Sequence, residues 1–232
     1  MSAYCACFLV LVLSISSCTF DSTKELKKSE IKITINPVIG DHTLRQNIYF
    51  PLANGDSLLV SRLDFYISNF LFAQSSSSSS VSTGDILWYT LTNPTKVFSI
   101  KNANLPSTVD SLVFLSGLND NENNQNPTQF EASHPLSSAS NMYWNNWTKY
   151  RYIVFDGKIK SGTTVYDFEY HTGLNYREKV FLNPNLIISP DHPVELRLKL
   201  LVDKILLPNA PHDALLYRSG ELQSHGGTPP LE

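Results

Sequence analysis

Residues 194–203, VELRLKLLVD, decide the fold class because apolar and charged side chains alternate through most of this stretch. A period of two is typical of a β-strand that buries one of its faces. Residues 31–36, IKITIN, show the same alternation near the other end of the chain. Both stretches therefore predict strands with one face toward a core.

The chain between these two stretches contains further segments that are rich in β-branched and aromatic residues. They are residues 58–72, 86–91, 97–100, 109–115, 152–159, 165–171 and 180–188. Clusters of Gly, Pro, Asn and Asp separate them and supply turns. Only residues 210–217 look helical. Many strands without intervening amphipathic helices predict an all-β protein, a sandwich or a barrel in which two sheets cover each other. Of the two we expect the sandwich, an immunoglobulin-like β-sandwich of two antiparallel sheets.

Two stretches are expected to be loops. Residues 75–80 are all serine, which is typical of a flexible loop tip between two strands. Residues 117–140 are polar and contain many asparagines. A loop of this length is uncommon inside a compact domain and is often functional.

The N-terminal segment has the features of an export signal. Residues 8–13, FLVLVL, form an apolar run that is too short to span a bilayer. Ile15-Ser16-Ser17-Cys18 follows, a pattern that lipoprotein signal peptidases recognise. We therefore expect a signal peptide at residues 1–17, lipid on Cys18, a tether over residues 18–30 and one domain over residues 31–232. Such a protein would be a membrane-anchored lipoprotein, periplasmic or in the outer membrane.

Composition excludes several classes of function. The three cysteines, Cys5, Cys7 and Cys18, all lie in or at the end of the predicted signal, so the domain has no thiol for a disulfide or a cysteine metal site. A net charge of −3 with mixed signs argues against nucleic-acid binding. Common catalytic signatures are absent, and we expect a protein that is not an enzyme.

The region from His134 to Gly173 contains the residues with the most distinctive chemistry. Side chains alternate along a strand, so Met142 and Trp144 are expected to share a face. Gly173 ends a predicted strand, which places His171 near the rim. With no thiolate in the domain, a soft-metal site would need imidazoles and the thioether of Met142, a set that suits copper. The alternative is that each histidine is an ordinary hydrogen-bonding surface residue.

Four motifs carry a resemblance to a known family. They are SRLDFYISNF at residues 61–70, MYW at 142–144, FDG at 155–157 and YHTG at 170–173. In order and spacing they resemble the MbnP-like copper-binding family, over about residues 31–206. The resemblance implies an exported β-sandwich that binds copper and is often encoded beside a di-haem protein related to cytochrome c peroxidases.

The resemblance also implies roles for particular residues. In the family, a tryptophan that the haem partner oxidises joins histidine at the metal. Carried over to this sequence, His171 is the first candidate ligand, Trp144 the candidate for oxidation and His134 a further candidate ligand. The family pattern has a histidine in the first strand, where this chain has Ile35-Asn36-Pro37. His42 either substitutes for it or is a loop residue.

The remaining histidines and the long loop leave one alternative function. His192, His212 and His225 lie in Pro- or Gly-containing stretches and are expected to be solvent-exposed unless the fold brings one of them beside His171. If the family scaffold is present without the metal, the protein would be a surface lipoprotein that binds a glycan or a protein through the loop at residues 117–140.

Overall fold

The computed structural model describes residues 28–144, 149–173, 177–206 and 223–225. Strands dominate these residues. In chain order they are β1 (Ser29–Ile39), β2 (His42–Thr43), β3 (Tyr49–Pro51), β4 (Ser57–Gln74), β5 (Ser79–Thr90), β6 (Val97–Asn102), β7 (Thr108–Val109), β8 (Ser111–Ser116), β9 (Tyr143–Trp144), β10 (Lys149–Ser161), β11 (Thr164–Gly173), β12 (Glu178–Leu182), β13 (Leu186–Ile187), β14 (Val194–Leu201) and β15 (Gln223–His225). The helices are short: α1 (Asp120–Asn123), α2 (Asp203–Leu206) and 3-10 turns at Pro127–Gln129 and Ser138–Ser140.

The first sheet joins the two stretches that alternate most regularly in the sequence. β1 lies at its centre and pairs in parallel with β14, with Ile31 opposite Val194. On its other side β1 pairs antiparallel with β6, and a hairpin connects it to β2. The apolar residues of β1 lie opposite apolar residues of β14, so their side chains share one face of the sheet. That face forms half of the core.

The second sheet is larger and runs in the order β12-β8-β4-β10-β11-β15, with β3 and β5 paired to β4 and β9 paired to β10. β7 and β13 form a separate pair. The inner face of the second sheet packs on the first sheet through one apolar cluster. It includes Ile33, Leu63, Phe155 and Phe168, each almost fully buried. Two sheets that cover each other confirm the predicted all-β sandwich. The parallel pairings β1–β14 and β11–β15 were not foreseen.

The outer face of the second sheet is covered as well. Part of the polar stretch at residues 117–140 packs on it, and a second cluster forms there: Tyr66, Leu118, Leu136, Met142, Tyr150, Tyr152 and Val154. The Tyr66 hydroxyl donates to the carbonyl of Pro135 (3.0 Å), and the Tyr150 hydroxyl donates to that of Leu136 (2.7 Å). We call the buried residues of this second cluster the outer cluster. The predicted loop at residues 117–140 is therefore a fixed layer over the sheet, which we call the outer layer.

A polar network fixes the start of this layer. Asn119 caps α1 by accepting from the main-chain N–H of Glu122 at 2.9 Å, and the Glu122 carboxylate accepts from the Asn119 main chain at 2.8 Å. The same carboxylate accepts from the buried Ser68 hydroxyl (3.0 Å) and from the Asn69 amide. Asn69 has a φ of +55° at the bulge of β4. The layer is thus tied to the middle of the sheet.

Other sequence expectations meet the structure in detail. The serine run is a turn at residues 75–78, after which β5 begins at Ser79. The segment at 109–115 is divided between β7 and β8, and the one at 180–188 is interrupted at Asn183-Pro184-Asn185, since proline cannot donate to a ladder. β1 begins at Ser29, inside the expected tether. Residues 1–17 and 210–217 lie outside the described residues. Within the described part, no helix has the length and apolar character needed to cross a membrane.

Candidate metal centre

His171 lies on the outer face of the second sheet, at the border of the outer cluster. In the register of β4, β10 and β11, Asp64 is opposite Val154 and Val154 is opposite His171. Residues in register on neighbouring strands place their side chains on the same face. Val154 is fully buried in the outer cluster, and His171 is 8% exposed. The imidazole is therefore nearly buried, next to the outer cluster.

A carboxylate orients the His171 ring. Its Nε2 lies 2.7 Å from Oδ1 of Asp156, which belongs to the adjacent strand β10. Because a carboxylate only accepts, Nε2 carries the proton in this contact. Metal-binding histidines commonly donate from one ring nitrogen to a carboxylate while the other nitrogen binds the metal. In this arrangement Nδ1 would be the metal-binding atom.

Trp144 forms the second side of the site. Its ring centroid lies 6.1 Å from that of His171, with the two planes at 73°. β9 pairs with the start of β10, where Trp144 is opposite Lys149, and the indole is 37% exposed. The guanidinium carbon of Arg151 lies 5.7 Å from the indole centroid. The structure thus brings together His171 and Trp144, the two main candidates from the family resemblance.

His225 is a residue whose location the sequence analysis missed. It was expected in an exposed loop, but it lies in β15, which pairs in parallel with β11 and places His225 in register with His171. Neighbouring strands lie about 4.8 Å apart. A strand of three residues, followed by Gly226 and Gly227, has no periodicity that a sequence pattern could detect. The backbone therefore adds a second histidine beside the first.

His42 lies far from this centre. It is exposed in β2, with its ring 6.4 Å from that of Phe50. The register through β3, β4, β10 and β11 places Phe50 in line with Tyr166. Tyr166 is five positions along β11 from His171, which corresponds to about 17 Å. The fold therefore does not bring His42 and His171 together.

His134 lies in the outer layer and Met142 in the outer cluster, and both pack against neighbouring residues there. The His134 ring stacks on Phe130 with centroids 4.0 Å apart, and its Nδ1 accepts from the main-chain N–H of Leu136 at 3.1 Å. Burial lowers the pKa of His134. Met142 precedes β9, is fully buried and has its sulfur 3.7 Å from the Arg62 guanidinium. Met142 is thus buried, whereas Trp144 is 37% exposed.

Few possible metal ligands lie near His171 among the described residues, and their types suit the same kind of metal ion. Among the side chains that the structure describes, no group of three or more His, Cys, Asp or Glu could hold a metal ion. What the described residues offer is one imidazole held by a carboxylate, with an indole against it and a second histidine in register. Imidazole donors suit copper among the common biological metals. The residues present thus fit a copper ion better than calcium or magnesium.

Comparison with known proteins identifies the family of this chain and agrees with its fold. The MbnP family model matches residues 28–214. The chain belongs to the MbnP family. Among solved structures, MbnP from Methylosinus trichosporium is similar in fold, with a TM-score of 0.52 and 13% sequence identity over 78% of each chain. No curated protein sequence matches significantly. Membership in the MbnP family indicates a copper-related role and agrees with the β-sandwich described above.

Proposed function

We propose that this MbnP-family protein binds one copper ion beside His171 and stores the ion or hands it on. The observation that carries the proposal is the contact between His171 and Trp144, with the imidazole held by Asp156. Family motifs selected the histidine and the tryptophan from separate parts of the sequence, and the fold places their rings together. An ordinary surface histidine would have no need of a buried position and an orienting carboxylate.

Each residue has a defined part in the proposal. His171 would bind through Nδ1 while Asp156 holds its other nitrogen, which fixes the ring and raises its basicity. His225 is the candidate for the second histidine because of its register position. Trp144, in an oxidised form, would complete the site. Its exposed edge suits a residue that a di-haem partner related to cytochrome c peroxidases must reach.

Export is part of the same proposal. A lipid anchor on Cys18 would hold the domain at a membrane outside the cytoplasm, as a periplasmic or outer-membrane lipoprotein. A haem partner could meet Trp144 in that compartment. With no thiol in the domain, copper binding there depends on histidine.

Copper retention by the processed, detergent-solubilised protein tests the proposal. We expect about one copper ion per chain after exhaustive dialysis, measured by inductively coupled plasma mass spectrometry. His171→Ala should reduce retained copper to the background, and His225→Ala should lower the affinity at least tenfold, since each removes an imidazole.

His42→Ala is the matched control because it also removes one histidine, from an exposed hairpin far from His171. It should retain copper as the wild type does. Equal copper in the wild type and in His171→Ala would contradict the site. Loss in His42→Ala would place the metal elsewhere.

One observation favours a second candidate function, binding of a glycan through the outer layer. A polar pocket of about 520 Å³ opens between this layer and β9–β10. Its lining is mainly amide and hydroxyl side chains with one aromatic ring and one cation: Asn124, Gln125, Asn126, Pro127, Thr128, Ser138, Tyr143 and Lys149. Amides and hydroxyls can both donate to and accept from sugar hydroxyls.

A glycan array probed with chelator-treated protein tests this second function. We expect binding that survives metal removal and that Gln125→Ala weakens several-fold, because the substitution takes an amide from the pocket. His171→Ala is the control and should bind as the wild type does. An array without signal above heat-denatured protein would exclude the glycan.

A further inference from the structure

We infer that Arg151 is a positioning residue that holds the indole of Trp144 against His171. The inference deepens the proposed function, since it concerns how the copper site is assembled. Three features of the described residues support it: the weak attachment of β9, the bonds from Arg151 to the segment before Trp144, and the cation over the indole.

β9 is poorly suited to fix Trp144 unaided. The strand has two residues, and its described pairing is limited to Tyr143 with Tyr150 and Trp144 with Lys149. A ladder of this length provides few main-chain hydrogen bonds. An exposed indole at its end needs a side-chain contact to keep one orientation.

Arg151 is bound twice to the segment that leads into β9. Its main-chain N–H donates to the carbonyl of Met142 at 2.8 Å, and its guanidinium donates to the carbonyl of Asn141. Asn141 has a φ of +52°, a left-handed conformation that turns the chain toward β9. Arg62 donates to the same Asn141 carbonyl at 3.1 Å. Two guanidinium groups therefore converge on one turn, and that of Arg151 also lies over the indole.

The Arg151 guanidinium lies 5.7 Å from the indole centroid, within the range of a cation–π contact. The indole therefore has a cation and the His171 imidazole as neighbours. Tryptophan is the aromatic residue that attracts cations most strongly, and a planar guanidinium can stack on a ring while it donates in its own plane. Arg151 thus fixes both the turn and the ring.

Nearby carboxylates make this cation acceptable in a partly buried place. Burial lowers the pKa of Arg151 and the charge of Arg62 acts in the same direction, whereas Asp156 and Asp64 raise it. Asp156 is also the residue that holds His171. The Asp156 carboxylate therefore acts electrostatically on both neighbours of the indole.

A double-mutant cycle read by fluorine NMR tests the inference on full-length processed protein without copper. 5-Fluorotryptophan labels the tryptophans, and Trp144→Phe identifies the resonance of residue 144. We expect His171→Ala to shift that resonance, because it removes the ring that contacts the indole. In an Arg151→Met background the same change should produce less than half of that shift, because the indole no longer rests on the imidazole.

Arg62→Lys is the matched control, because it removes the other donor to Asn141 and leaves a cation beside Asp64. In that background the full shift should persist. An undiminished shift in Arg151→Met, or an equal loss in Arg62→Lys, would overturn the inference. If Arg151→Met does not fold, Arg151→Lys takes its place. It should again reduce the shift, since lysine lacks the planar fork, and an unchanged shift would overturn the inference.

Copper retention is measured separately on the same samples. A reduced shift in a protein that takes up no copper would leave the role of Arg151 intact and refute the proposed function. Copper uptake together with an undiminished shift would do the reverse.

Discussion

Gly157→Ala is expected to lower the free energy of unfolding by about 3 kcal/mol or more, the upper end of the usual cost of overpacking. A Cβ at this position would lie 2.1 Å from the carbonyl oxygen of Leu59 and 2.7 Å from Cζ of Phe168. Both neighbours are confined, since the first is the backbone of a central strand and the second is a fully buried ring. The strands must separate before an added methyl group can fit.

The expected loss also reaches the candidate site. Gly157 follows Asp156 at the point where the pairing of β10 with β4 shifts register. That bulge sets the position of Asp156, which holds the His171 ring. Copper retention by any folded Gly157→Ala protein should therefore fall together with its stability.

Urea denaturation followed by circular dichroism measures the effect. Gly84→Ala is the control, because Gly84 lies in β5, where an added Cβ would meet nothing within 4 Å, and has no positive φ. It should change the stability by less than about 0.5 kcal/mol, as surface substitutions usually do. A loss below about 1 kcal/mol for Gly157→Ala would show that β4 and β10 can separate cheaply.

The architecture was largely predictable because a half-buried strand leaves a local signature. Alternation marked β1 and β14, and aromatic and β-branched composition marked β4, β10 and β11. What these patterns do not contain is the choice of partner. The parallel pairing of β1 with β14 joins segments from opposite ends of the chain, and no local residue preference encodes it.

The site divides in the same way. His171 and Trp144 were predicted from motifs that are contiguous in sequence, and the structure places their rings in contact. Arg151 was not predicted, since its role depends on a turn ten residues away at Asn141. His225 was missed because β15 is short and its partner strand lies far back in the sequence. Spacing along the sequence cannot identify residues that meet only in the folded chain.

Alkaline pH is expected to unfold the protein steeply above about pH 10, because buried tyrosines resist ionisation. Burial is the main cause that raises the pKa of Tyr66, Tyr89 and Tyr150 from the ordinary value of 10.0. Above that pH the unfolded chain loses these protons while the folded chain keeps them. Stability is therefore complete below about pH 10 and falls as pH rises, by roughly 1.4 kcal/mol per pH unit for each tyrosine.

Tyr89→Phe provides the sharpest test of this mechanism. Among the described residues the Tyr89 hydroxyl has no hydrogen-bond partner, so its removal should leave stability at pH 8 unchanged or slightly higher. Between pH 10 and 11.5 the variant should lose stability with a slope lower by about one proton. Urea titrations at fixed pH values measure both quantities, and an unchanged slope would show that Tyr89 does not contribute.

Tyr150→Phe should behave differently, because the Tyr150 hydroxyl donates to the Leu136 carbonyl and belongs to the outer cluster. Its loss should cost about 1 kcal/mol at neutral pH, the net value of a typical hydrogen bond, and also reduce the alkaline slope. Tyr66 and Tyr150 attach the outer layer to the sheet on the face that carries His171. Copper retention in the wild type should therefore fall over the same pH range as the unfolding transition, since unfolding disrupts the sheet face that carries His171.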